Sequence, residues 1–80
     1  MILTIEIHDM DSPEKAEAEL FCDAEGLELL SKEIDRLKSG SSHCHLMTPS
    51  WAGQELTEVP QGKGTTLLNH LRISVKPEGK

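Results

Sequence analysis

Aromatic side chains are nearly missing from these 80 residues: there is no tyrosine, one phenylalanine (Phe21) and one tryptophan (Trp51). Trp51 therefore has two readings, a filler closing one end of a sheet beside Leu56 or an aromatic anchor presented to a partner. Cysteine is also scarce. Cys22 and Cys44 alone make no disulfide framework, and reduced thiols are expected of them. No apolar run approaches the roughly 18 residues that a bilayer-crossing helix needs, so no membrane partner is expected. Met1 to Glu6 lacks a basic region and a small-residue cleavage site. The start is expected to be a strand rather than a signal peptide, and the location cytoplasmic. Repeats and low-complexity segments are missing, and 80 residues leave room for one domain, 1–80, with a modest core.

Basic residues are few in the first half. Residues 1–35 carry a formal charge of −9 and residues 36–80 one of +3, giving −6 in total. A field of that sign repels nucleic acid and anionic lipid and steers a basic partner toward the amino-terminal half. The plainer reading is that the acids keep a small protein soluble.

What is present is alternation. Leu3, Ile5 and Ile7 against Thr4, Glu6 and His8 predict a half-buried strand. Asp9 to Pro13 is a turn. Ala18, Leu20 and Cys22 against Glu17, Glu19 and Phe21 predict a second strand, although Pro13 to Glu19 also has helix propensity. Asp23 is a good N-cap, and Leu27, Leu30, Ile34 and Leu37 repeat at helical spacing until Ser39-Gly40, leaving Leu29 off the stripe. His43 to Met47 predicts a third strand, broken by Thr48-Pro49-Ser50. Gln54 to Val59 predicts a weak fourth anchored by Leu56. After the loop Pro60 to Gly64, Leu67, Leu71, Ile73 and Val75 predict a long last strand, and Pro77 to Lys80 a frayed end. The expected fold is α+β: a single antiparallel-rich sheet in the order β-β-α-β-β-β, with one amphipathic helix packed on one face.

With the helix covering the leucine-rich face, the period of two sends His8, His43, His45 and His70 to the opposite face with Glu6, Glu17 and Glu19. Three readings of that face stand. His43 and His45, about 7 Å apart along a strand, with His70, form an open three-histidine metal site. Alternatively the face contacts another protein, or it is plainly solvated. Catalysis has little support. Alternation points Cys44 away from His43 and His45, and Gly62-Lys63-Gly64-Thr65-Thr66 lacks the first glycine and the following helix of a phosphate loop. No enzyme activity, catalytic residue or cofactor is expected.

Asp23-Ala24-Glu25-Gly26-Leu27, then His43-Cys44-His45-Leu46-Met47-Thr48-Pro49-Ser50-Trp51-Ala52-Gly53 with Glu55-Leu56, then Asn69-His70-Leu71-Arg72-Ile73, resembles the small immunity proteins of bacterial polymorphic toxin systems (the immunity protein thirty-two family). That pattern is a helix opened by Asp-x-Glu-Gly-Leu, a His-x-His-Leu strand, a Trp-Gly-Gly turn and a closing His-Leu-x-Ile strand. His43, His45, Trp51, Gly53 and His70 fall on it, and Ala52 stands where the first glycine of the turn would be. The resemblance implies an α+β protein that binds and neutralises a cognate toxin domain, often a nuclease, made by the same cell. It carries no toxin contacts over; the motif residues equally suit holding the fold. The contact hypothesis is that Glu6, Glu17, Glu19, Glu25 and Glu28 steer and pair with a basic toxin domain, with Trp51 beside them. The alternative function is a small metal-binding or sensory domain using His43, His45 and His70. A homodimer through the open face is compatible with the first reading.

Overall fold

In a computed structural model that describes Met1 to Pro77, the alternating run at the start of the chain is β1, Leu3–His8, paired antiparallel with β2, Glu17–Cys22, from Leu3↔Cys22 to His8↔Glu17. Pairing thus overrides the helix propensity at Glu17 and Ala18. The helix α1, Ala24–Lys38, follows at once, then β3, His43–Met47, a 3₁₀ turn, Pro49–Trp51, and two closing strands, β4, Thr66–Leu67, and β5, His70–Ser74. The architecture is α+β, as expected, but the strands divide into a three-stranded sheet, β2-β1-β4, and a two-stranded sheet, β3-β5. The fraying expected at Pro77 to Lys80 lies, past Pro77, outside the described residues.

The division occurs inside the run expected to be one long strand. Glu6↔Leu67 and Ile7↔Thr66 pair β4 with β1, while Met47↔His70 to His43↔Ser74 pair β5 with β3. Leu68 N–H still donates to the Ile5 carbonyl at 2.9 Å, and the Asn69 carbonyl already accepts from Thr48 N–H at 3.0 Å. Between these two residues the chain turns a corner from one sheet to the other. Parity slips there. Directly opposed residues share a face, so Leu67 lies with Glu6, while Leu68 and then Leu71 and Ile73 pack on the core. Reading Leu67, Leu71 and Ile73 as one side missed that slip.

The expected strand Gln54 to Val59 is irregular. Its anchor is as expected, since Leu56 is 1% exposed, but single bonds replace a ladder. Leu56 N–H donates to the Met47 carbonyl, and Thr57 N–H to that of Leu3. Glu55 Oε1 accepts from Met47 N–H at 3.0 Å, and Glu58 Oε1 from Ser50 N–H. Side-chain acceptors hold this segment where backbone pairing would hold a strand.

Asp23 caps α1 as expected, its Oδ1 accepting from Gly26 N–H at 2.8 Å, and Ser39 and Gly40 close it through N–H groups donated to the last-turn carbonyls. The buried stripe is not the expected one. Gly26 and Leu37 are buried and Leu29 and Leu30 pack on the core, whereas Leu27 is 56% and Ile34 43% exposed. The cause is a close approach. A Cβ on Gly26 would lie 1.9 Å from the Ile2 carbonyl oxygen, so the helix meets β1 through Gly26. The inward positions become 26, 29, 30, 33 and 37, and Leu27 turns outward. Leu29, expected off the stripe, belongs to it.

The core is Leu3, Ile5, Leu46 and Leu56, with Leu29, Leu30, Leu68, Leu71 and Ile73 half-buried around it. Each fully buried aliphatic side chain contributes about 2 kcal/mol, a small total for a domain of this size, so hydrogen-bonded clamps carry unusual weight. Leu20 and Val75, expected inward, are exposed.

Gly26→Ala is expected to cost about 3 kcal/mol, since a carbonyl must move to admit the methyl group. Leu27→Ala is expected to cost less than about 0.5 kcal/mol. Urea unfolding of both variants checks the pair; equal costs, or the reverse order, would restore the stripe expected from spacing.

Candidate functional site

The outer face of β3 and β5 carries the expected motif residues. His43, His45 and Met47 alternate with Cys44 and Leu46, and pairing sets them beside Ser74, Arg72 and His70. His45 Nδ1 and His70 Nε2 are 2.8 Å apart, sharing one hydrogen bond. Their rings lie 5.0 Å apart and nearly parallel, His43 meets His45 edge-on at 5.0 Å, and Trp51 tilts over His70 at 5.8 Å. His43, His45, His70 and Trp51 thus form one continuous row. Desolvation holds the His45 imidazole below its ordinary pKa, helped by the charges of His70, His43 and Arg72.

Trp51 is 55% exposed. The core-filler reading is overturned: Leu56 occupies the buried position, and the 3₁₀ turn carries the indole outward. The turn is rigid, with Trp51 and Gly53 N–H both donating to the Thr48 carbonyl at 2.9 Å and Thr48 Oγ1 donating to Asn69 Oδ1 at 2.8 Å. Ala52 has φ +65°, a left-handed conformation that glycine adopts without strain. Gly53 packs flat on β3, where a Cβ would lie 2.3 Å from the Met47 carbonyl oxygen. Ala52 and Gly53 thus answer different constraints, conformation at Ala52 and space at Gly53.

The four histidines do not gather on one surface. Three do; His8 sits on the other sheet, its Nε2 2.7 Å from Glu19 Oε1, and that bond raises its pKa. Among the described residues no group of three or more histidine, cysteine or acidic side chains is placed to hold a metal ion, and the His45–His70 bond joins two of the nitrogens that a metal would need. Cys44 faces the core side as alternation requires, and both cysteines are free thiols.

Glu6, expected on the exposed acidic face, is fully buried. The segment Pro60 to Thr65 folds back over that side of β1, and the Glu6 carboxylate receives Thr4 Oγ1, Gln61 N–H at 2.9 Å, Gly62 N–H at 3.0 Å and Thr65 Oγ1. Burial pushes its pKa up, but the donors from Thr4, Thr65, Gln61 and Gly62 outweigh this and hold it down to about 2. Glu6 cannot contact a partner. No sequence signal marked it, because three of its four donors, on Gln61, Gly62 and Thr65, lie more than fifty residues away.

The other candidate acids are at the surface. Glu17 and Glu19 are exposed on β2, which lies at the edge of its sheet and pairs only with β1. Glu25 and Glu28 are exposed on the first half of α1 and line an open hollow with Met1, Leu29 and Lys32. Exposed Leu20, Leu27 and Ile34 were not anticipated as surface residues. Comparison with family models, curated proteins and solved structures finds no match to this chain. No helix of the described residues is long and apolar enough to cross a membrane.

Glu6→Gln is expected to lower stability at neutral pH by about 2–4 kcal/mol, because a charge-assisted acceptor for four donors is lost. Since the folded-state pKa lies below the ordinary 4.5, this contribution is present above pH 4.5 and is lost as pH falls toward 2. Melting curves of parent and variant should converge over that range, and a gap that stays constant with pH would contradict the clamp. Ala52→Gly is expected to raise stability by about 0.5–1 kcal/mol, strain relief exceeding the added backbone entropy of the unfolded chain. Calorimetry showing no gain would mean that the left-handed turn costs nothing.

Proposed function

We propose that this chain is a cytoplasmic, non-enzymatic immunity protein that binds a cognate polymorphic toxin domain of basic character, of nuclease type, and neutralises it by stoichiometric contact. The observation that carries the reading is the division of the acids. Glu6, Asp23, Glu55 and Glu58 each accept a backbone N–H of the fold, whereas Glu17, Glu19, Glu25 and Glu28 stay exposed around one edge strand and the start of the helix. Glu19 shares a bond with His8 and Glu25 lies 3.4 Å from the Met1 amino group, yet both stay at the surface with Glu17 and Glu28, and exposed charge of this kind is suited to steering a basic partner. The outward Trp51 on its rigid turn suits a contact anchor, because little entropy is lost when it is covered. The motif resemblance points the same way. Catalysis finds no support in a nucleophile–base pair, and the histidine row reads as fold and surface rather than as a metal centre.

Reversing two acids tests this. Glu17→Lys/Glu19→Lys is expected to slow association with the toxin domain encoded beside it by about tenfold or more, with most of the salt dependence lost. Surface plasmon resonance at several ionic strengths reads both, with circular dichroism checking that the variant is folded. Unchanged rate and salt slope would remove these acids from the interface.

A further inference from the structure

The outer edge of β2 is built to accept another strand. Asp23 N–H donates to the Ile2 carbonyl at 3.1 Å in the same register that joins β1 and β2. In an antiparallel ladder hydrogen-bonded pairs alternate, so Thr4–Phe21, Glu6–Glu19 and His8–Glu17 exchange bonds as well. The backbone groups of Ala18, Leu20 and Cys22 therefore point away from β1. The β1 side agrees: Leu3 and Ile5 use their backbone toward Thr57 and Leu68, on the opposite edge. No described backbone group is bonded to that outer edge of β2.

The two faces of β2 differ in chemistry. On one side lie the exposed carboxylates Glu17 and Glu19; on the other lie Ala18, Leu20 and Cys22, the side of the sheet that carries the helix with its exposed Leu27 and Ile34. We propose that β2 is a docking edge for an extended segment of a basic partner, which adds as a strand with Lys or Arg alternating with apolar residues. The basic side chains meet Glu17 and Glu19; the apolar ones cover Leu20 and the neighbouring exposed apolar surface. The backbone bonds go to Ala18, Leu20 and Cys22. A second copy of this chain is the poorer occupant, since self-pairing brings Glu17 and Glu19 onto one face with the same carboxylates of the other copy. This deepens the immunity reading by naming the form the toxin contact takes, and it rests on that reading only for the partner's identity.

The probe is a blocked hexapeptide alternating lysine and valine, titrated into the isotopically labelled full chain and read by NMR. Shifts are expected along Glu17 to Cys22, with amide exchange at Ala18, Leu20 and Cys22 slowed at least tenfold at saturation. Leu20→Pro removes an outward N–H while leaving the ladder to β1; it should abolish the shifts and keep the fold. If that variant does not fold, a probe methylated on its backbone nitrogens serves instead, keeping its charge but not its ladder donors, and should bind at least tenfold more weakly. Equal binding by the methylated probe, or shifts centred elsewhere, overturns the proposal. A dimer by light scattering that Leu20→Pro converts to monomer also overturns it, assigning the edge to a second copy. Failure of peptide docking with toxin neutralisation intact removes strand addition alone. Docking by a chain that neutralises no toxin removes the immunity reading alone.

Discussion

A buried carboxylate holds this small fold closed. β1 has the pattern of a strand with one wet face, yet Thr4 and Glu6 are as inaccessible as Leu3 and Ile5. The chain from Pro60 to Thr65 has almost no apolar side chains with which to pack itself down, so it is held by hydrogen bonds to Glu6. An ionised acceptor taking four donors offsets the cost of removing the charge from water, which no neutral side chain of that shape would do as well. The clamp also fixes the path into β4, and from there the corner at Leu68-Asn69 that carries the chain into the second sheet.

Much of this architecture is legible in the sequence. β1, β2 and β3, the Asp23 cap, the Ser39-Gly40 stop, the anchoring role of Leu56 and the orientation of Cys44 away from the histidines all follow from local pattern and turn chemistry. What was not legible depends on contacts between distant segments. The helix faces inward through Gly26 because of the Ile2 carbonyl, which no helical wheel contains. The parity slip after Leu67 results from one strand serving two sheets, and Glu6 is recognisable as structural only once Gln61 and Thr65 lie against it. Trp51 was open between two roles, and the 3₁₀ turn that carries it leaves it exposed.

The candidate surface divides in the same way. Periodicity brought His43, His45 and His70 to one face, but it wrongly added His8, which is engaged with Glu19 on the other sheet, and only the structure sets Trp51 beside the three. Counting acids identified the charged half of the molecule without separating those that hold the fold from those that face solvent. Once Glu6, Asp23, Glu55 and Glu58 are assigned to the fold, Glu17 and Glu19 remain on an edge strand whose outward amides bond to no described residue and whose two faces differ in chemistry. Acids on such an edge also guard it against pairing with its own kind.

The proposed grip on a basic partner lies at β2 and the adjoining start of α1. Hydrogen–deuterium exchange of the chain alone and mixed with the proposed toxin domain reads this out. Protection concentrated in residues 17–28 is the predicted result. Protection confined to the histidine row and the Asn69 corner, with residues 17–28 exchanging as in the free chain, would contradict it.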